Sequence, residues 1–196
     1  MTAAQIILAS ASPRRKELLD QIGVHCQVLP VDIDESVKPG ELAEDFVIRL
    51  ALEKARVGLQ QSETKLPVLG SDTIVLVQGQ IFGKPENKAH GLQMLAALSG
   101  RSHQVLTAVA MVTDEKSQYL LSKSSVYFRE LDEREMLAYW ETGEPADKAG
   151  GYAIQGLAAQ FIERLDGSYS GVMGLPLFET AQLLKAFGVA VGQSSK

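Results

Sequence analysis

The stretch that most constrains this chain is Leu66 to Pro85, LPVLGSDTIVLVQGQIFGKP. Its first apolar run, Pro67 to Leu69, is too short for a lone helix and rich in strand formers. Gly70 and Ser71 then bring the backbone to a small, accessible point, and Asp72 follows at once. The run resumes as Ile74, Val75, Leu76 and Val77. Gln78-Gly79 reads as a two-residue hairpin turn, since glycine takes positive φ without cost. The return strand, Gln80 to Phe82, delivers Gly83, Lys84 and Pro85. A hairpin brings residues on either side of its turn together, so Asp72 and Lys84 are expected to meet. An acid inside an apolar strand is costly unless it has a partner or a metal. The spacing leaves open a structural Asp–Lys ion pair and a catalytic site.

Along the chain, Gln5 to Ala9 reads as a short buried strand. Ser12 is a good N-cap and Pro13 a good first helical residue, and Leu18, Leu19 and Ile22 give that helix an apolar side before Gly23 ends it. Helix starts prefer acids, because the dipole there is positive. Arg14 and Arg15 instead add positive charge to an end already suited to anions. With Ser10 and free backbone N–H groups they would form a phosphate cradle; the alternative is two solvated arginines. A second strand, His25 to Val31, leads to Asp32-Ile33-Asp34-Glu35, an acidic cluster of the kind that ligates a hard cation, although such runs are also common as solvated loops. Glu41 to Gln60 is the clearest helix. Lys54 extends its apolar stripe, where a lysine either snorkels out or meets an anion.

Asn87 caps the next helix, which runs through Met94 and Leu98 to Ser99-Gly100. Val105 to Thr113 and Leu120 to Phe128 read as two long strands, and Asp132 starts a helix stopped by Gly143 and Pro145. The segment Asp147 to Gly156, DKAGGYAIQG, allows close backbone approach and carries Gln155. Phe161 to Leu165 reads as a last strand, and a closing helix begins at Leu175-Pro176 and ends before Gly188. Alternating strands and helices around a long hairpin predict an α/β domain with a mixed sheet. It is read as a single domain over 1–196, with a polar tail from Gly192 to Lys196.

Hydrophobic residues make up 45% of the 196 and charged residues 22%, an ordinary globular balance. The net charge of −5 argues against nucleic-acid binding through overall charge. No apolar run approaches a membrane span, and the start has no basic segment ahead of a long apolar core, so a cytoplasmic location is expected. The one cysteine, Cys26, excludes an internal disulfide and reads as core rather than nucleophile. His25, His90 and His103 show no metal-ligand spacing.

Five ordered blocks, SASPRRKELL, LEKAR, GSDTIV with GKP, DKAGGYAIQG and GLPL, resemble the Maf family of nucleoside triphosphate pyrophosphatases, first known as septum-formation inhibitors. The resemblance runs from about Ile6 to Leu184. It implies hydrolysis between the α- and β-phosphates of a nucleotide, a divalent metal (Mg²⁺ or Mn²⁺) and a homodimer. It also implies an elongated α/β fold similar to the inosine triphosphate pyrophosphatase-like fold, with two lobes around a cleft. Carried over, Ser10, Arg14, Arg15, Lys54 and Lys84 would hold phosphates. Glu35 and Asp72 would serve the metal and its water, with Asp72 a proposed general base; base and ligand remain alternatives at this point.

Arg14, Thr73 and Gln155 resemble the dTTP/UTP branch, whereas the 7-methyl-GTP branch typically has an aromatic residue, Gln and Glu at those places. A glutamine amide offers one donor and one acceptor, matching N3–H and O4 of thymine or uracil. The expected function is therefore pyrophosphate release from dTTP and UTP, modified pyrimidine nucleotides included. The alternatives are another base preference and a nucleotide-binding regulator of septum formation.

Overall fold

The computed structural model describes residues 3–192. Seven strands form one mixed sheet in the order β2-β1-β3-β5-β6-β7, with β4 paired to β3. The strands are β1 (Ile6–Leu8), β2 (Cys26–Val28), β3 (Val68–Val77), β4 (Gln80–Phe82), β5 (Ser102–Val112), β6 (Ser117–Phe128) and β7 (Ile162–Asp166). The helices are α1 (Pro13–Gln21), α2 (Ala43–Gln61), α3 (Lys88–Leu98), α4 (Glu133–Glu141), α5 (Tyr169–Met173) and α6 (Leu177–Ala186). β1 runs parallel to β2 and to the start of β3, where Ile7 and Leu8 face Val68 and Leu69. β4 runs antiparallel to the end of β3, Val75 opposite Phe82. The mixed α/β sheet expected from the sequence is present.

The chain divides into two compact units: Met1–Asp72, Thr107–Ser122 and Gly174–Lys196 form one, and Thr73–Leu106 with Lys123–Met173 the other. β3, β5 and β6 each contribute residues to both. The first unit is built on apolar β1, where Ile6, Ile7 and Leu8 are fully buried, and on Phe46, Val47, Leu50 and Ala51 of α2. α2 approaches the sheet closely because its facing residues are small. A Cβ on Gly70 of β3 would sit 2.3 Å from the Ala51 carbonyl, and one on Gly58 would sit 2.9 Å from Ala9 Cβ and Val68 Cγ1. Gly70-Ser71 is thus a buried seam under a helix, not the accessible point its small residues imply; Ser71 has 0% exposure.

The second unit closes over Val75, Leu95, Val126, Phe128, Met136, Tyr139, Tyr152 and Phe161. Asn87 caps α3 by accepting from the His90 amide. Asp132 and Glu135 form a reciprocal capping box on α4, which satisfies donors a helix start would leave unpaired.

Several boundaries differ from the sequence reading. β2 ends at Val28, the residue opposite Leu8 at the end of β1, and the acidic run Asp32–Glu35 is loop, not strand end. Pro67 precedes a single continuous β3. Helix α5 carries no strong pattern in the sequence. Cys26 is half-buried rather than core, and burial pushes its thiol pKa up. Gly192 donates to the Ile22 carbonyl at 2.9 Å, and the rest of the expected tail, 193–196, lies outside the described residues.

Candidate active site

The first unit gathers a set of charged groups around Asp72. Its strand enters the sheet through buried Leu69, Gly70 and Ser71, so Asp72 is only 7% exposed. Close packing of α2 on that strand brings Lys54, three residues after Ala51, to the carboxylate. Lys54 Nζ donates to Asp72 Oδ1 at 2.6 Å and pairs with Glu35 Oε1, also at 2.6 Å. One ammonium therefore joins two carboxylates, one buried and one on an exposed loop. Burial pushes the Asp72 pKa up; the charges of Lys54 and Arg15 oppose this, and that of Glu35 adds to it.

The Glu35 loop is tethered to α2. Arg49 forks onto Glu41 at 2.6 and 2.8 Å and donates to the Ser36 carbonyl at 2.9 Å. Such bidentate pairs are among the stronger side-chain contacts, and the Glu41 pKa is held down to about 2 chiefly by Arg49.

A second arm starts at Ser10, 7% exposed at the end of β1. Its Oγ accepts from Arg15 Nη1 at 3.0 Å and from the Ser12 amide at 3.2 Å, which leaves the hydroxyl hydrogen to donate elsewhere. Arg15 Nε donates to the Gly174 carbonyl at 2.8 Å, and Ser71 Oγ donates to that same carbonyl at 3.0 Å and to the Ala108 carbonyl at 2.9 Å. Arg15 is accordingly no solvated surface side chain. Burial lowers its pKa, and the charge of Asp72 counters this while that of neighbouring Arg14 adds to it. Arg14 is half-buried in the same first turn of α1.

Within the first unit, Asp72 takes Lys54 as an ion-pair partner. The hairpin is present, with Val75 opposite Phe82, and Lys84 is exposed beyond β4, in the second unit. There the carbonyl of Gly83, next to Lys84, accepts from the Gly150 amide at 2.9 Å. Thr73 is half-buried on β3, and Gln155 is exposed in a turn in the same unit. The sequence reading missed the Arg49–Glu41 fork and the Gly174 carbonyl. The pair was legible only as an eight-residue separation across a helix start, and a backbone carbonyl leaves no signature in sequence.

Two carboxylates joined by a lysine suit a hard divalent cation of the Mg²⁺ kind. Such an ion keeps several waters and takes one or two protein carboxylates, completing its shell with phosphate oxygens. Among the described residues no group of three or more His, Cys, Asp or Glu side chains could hold a metal ion. Among the same residues, no helix is long and apolar enough to cross a membrane.

A mixed α/β sheet carrying a lysine between two carboxylates, beside two arginines at a helix start, defines an α/β protein equipped to handle a phosphate-bearing anion. The Maf-like protein family matches residues 5–187, and the chain belongs to that family. Curated relatives agree in name. A dTTP/UTP pyrophosphatase of Alkalilimnicola ehrlichii is 56% identical over 189 residues, covering 94% of this chain and 93% of that protein. Another, of Saccharophagus degradans, is 52% identical, covering 98% and 93%. A third, of Methylobacillus flagellatus, is 53% identical, covering 95% and 94%. Among solved structures, the Ham1 protein of Staphylococcus aureus is similar with a TM-score of 0.48 and 13% identity, covering 93% of this chain and 96% of that one.

Proposed function

We propose that this protein hydrolyses dTTP and UTP between the α- and β-phosphates, giving the nucleoside monophosphate and pyrophosphate. The observation that carries the chemistry is Lys54 joined to both Asp72 and Glu35 at 2.6 Å. The substrate is drawn from the curated relatives, whose names state dTTP/UTP pyrophosphatase at 56% and 52% identity over nearly the whole chain.

In this reading Ser10, Arg14, Arg15, Lys54 and Lys84 hold phosphate oxygens. Arg15 is fixed by Ser10 and Gly174, so it meets the anion with little reorganisation. Glu35 and Asp72 hold Mg²⁺ or Mn²⁺, which when bound supplies neutralising charge and a water of lowered pKa. Lys54 engages one Asp72 oxygen, and the other either takes its place on the metal or accepts the proton of the attacking water. A carboxylate whose pKa is raised by burial is a better base than an exposed one. Thr73 and Gln155 read the pyrimidine, the Gln155 amide pairing with O4 and N3–H. The same reading includes a cytoplasmic homodimer, checked by cell fractionation and sedimentation.

The test is a nucleotide panel of dTTP, UTP, CTP, dATP, GTP and 7-methyl-GTP with Mg²⁺ or Mn²⁺, products read as pyrophosphate against orthophosphate. Expected are pyrophosphate from dTTP and UTP alone, abolished by EDTA, and a Gln155→Glu variant with reduced kcat/KM on both. Preference for guanine nucleotides would overturn the substrate, and orthophosphate as sole product would overturn the reaction.

A further inference from the structure

In the second unit the turn that carries Gln155 is braced from beneath by two side chains far from any phosphate-binding candidate in sequence. Tyr139, at the end of α4 and 3% exposed, donates its hydroxyl to Glu144 Oε1 at 2.7 Å. The same oxygen of Tyr139 accepts the Ala153 amide at 3.2 Å. Glu144 Oε2 accepts the Leu157 amide at 3.0 Å, and Oε1 accepts the Ala158 amide at 3.3 Å. The two side chains thus hold backbone on both sides of Gln155, two residues before it and two and three after.

The support is close-fitting. A Cβ on Gly156 would lie 2.1 Å from Glu144 Oε2 and 2.5 Å from its Cδ, so glycine there admits the carboxylate. Glu144 is itself set by Thr142, whose Oγ1 donates to the Tyr139 carbonyl at 2.6 Å and accepts the Glu144 amide at 3.2 Å. Burial, reinforced by the hydrogen bond to Glu144, raises the Tyr139 pKa, so the phenol remains a donor.

A glutamine amide has a built-in ambiguity. In one orientation its oxygen and NH₂ match the N3–H and O4 of uracil or thymine; rotated about its last torsion they match the N3 and N4–H₂ of cytosine. Gln155 therefore discriminates only if its position and orientation are held. We propose that Glu144 and Tyr139 are positioning residues for base selection, fixing the 153–158 backbone so that Gln155 accepts dTTP and UTP and rejects CTP. This rests on the reading that Gln155 contacts the base.

The experiment compares Tyr139→Phe, Glu144→Gln, Gly156→Ala and Gln155→Ala with the unaltered protein, measuring kcat and KM for dTTP and CTP and amide exchange at 153, 157 and 158. Tyr139→Phe removes one oxygen from a packed ring and keeps the fold testable if Glu144→Gln fails to fold. Expected for Tyr139→Phe and Glu144→Gln is a preference for dTTP over CTP reduced ~10-fold, the worth of one or two hydrogen bonds. It should arise mainly through KM for dTTP, with faster exchange at the three amides. Gly156→Ala should act the same way by displacing the carboxylate. If Gln155→Ala loses the preference while Tyr139→Phe keeps it, the positioning role is wrong and the base-reading role stands. If Gln155→Ala also keeps the preference, Gln155 does not read the base and both fall. An equal loss of kcat/KM on dTTP and CTP in Tyr139→Phe would make the brace a matter of fold stability alone and overturn the proposal.

Discussion

At the scale of single residues, Lys54 shows how a helix can place a cation where water is scarce. Removing it leaves Asp72 without its closest counter-charge, and breaking such a pair from one side is costly. Lys54→Ala should lower unfolding free energy by about 2–4 kcal/mol and cut turnover at least ~100-fold, read by urea unfolding and pyrophosphate release. Adding Asp72→Asn should restore much of the stability and none of the activity; a double variant as unstable as the single would show that Asp72 is not the source of the cost.

His103 offers a pH test away from the site. It is 3% exposed, its Nε2 lies 2.7 Å from the Tyr152 hydroxyl, and its Nδ1 has no partner among the described residues. Burial lowers its pKa to about 4. A histidine depressed in the folded state contributes stability that is complete above its unfolded value, near 6.5. That stability is lost as pH falls from there towards 4, because only the unfolded chain takes the proton. The loss should amount to roughly 3 kcal/mol. His103→Leu should flatten the fall in urea midpoint between pH 7.5 and 4.5 relative to the unaltered protein; parallel curves would show that other groups carry the acid sensitivity.

At the scale of elements, the seam between α2 and β3 decides whether Lys54 reaches Asp72. Gly70→Ala puts a methyl within 2.3 Å of the Ala51 carbonyl and 2.7 Å of the Ala55 amide, both backbone atoms of a helix that cannot move locally. The helix must shift as a body, at a cost of about 2–3 kcal/mol. The same shift should reduce kcat/KM on dTTP by ~10-fold or more, since small misplacements of catalytic groups are expensive. Loss of stability with full activity in the folded fraction would separate the seam from the site. The elements themselves were largely legible: the periods of α2 and β3, the Asn87 and Asp132 caps and the Gln78-Gly79 turn all follow from local chemistry. The limits of β2 were not, because a ladder ends where its partner ends.

For the whole molecule, binding of a substrate to the folded form alone must raise stability by linkage. Asp72→Asn, expected to bind but not turn over, should gain about 2.7 kcal/mol from dTTP with Mg²⁺ at one hundred times Kd, seen as a raised melting midpoint. GTP at equal concentration should leave it unchanged, and equal shifts for both would argue against pyrimidine selection in binding.

The sequence by itself determined the mixed α/β sheet and the family, and it named Ser10, Arg14, Arg15, Glu35, Lys54 and Asp72 as candidates for the site. Periodicity, capping and a set of ordered motifs are local properties written in neighbouring residues. Only the tertiary structure decided that Asp72 pairs with Lys54, that Arg15 is held by Ser10 and Gly174, and that Tyr139 and Glu144 hold the Gln155 turn. Those partners are set by which small residues let a helix approach a strand and by which backbone groups need a donor or acceptor. Both are contacts between residues distant in sequence, and no local pattern encodes them.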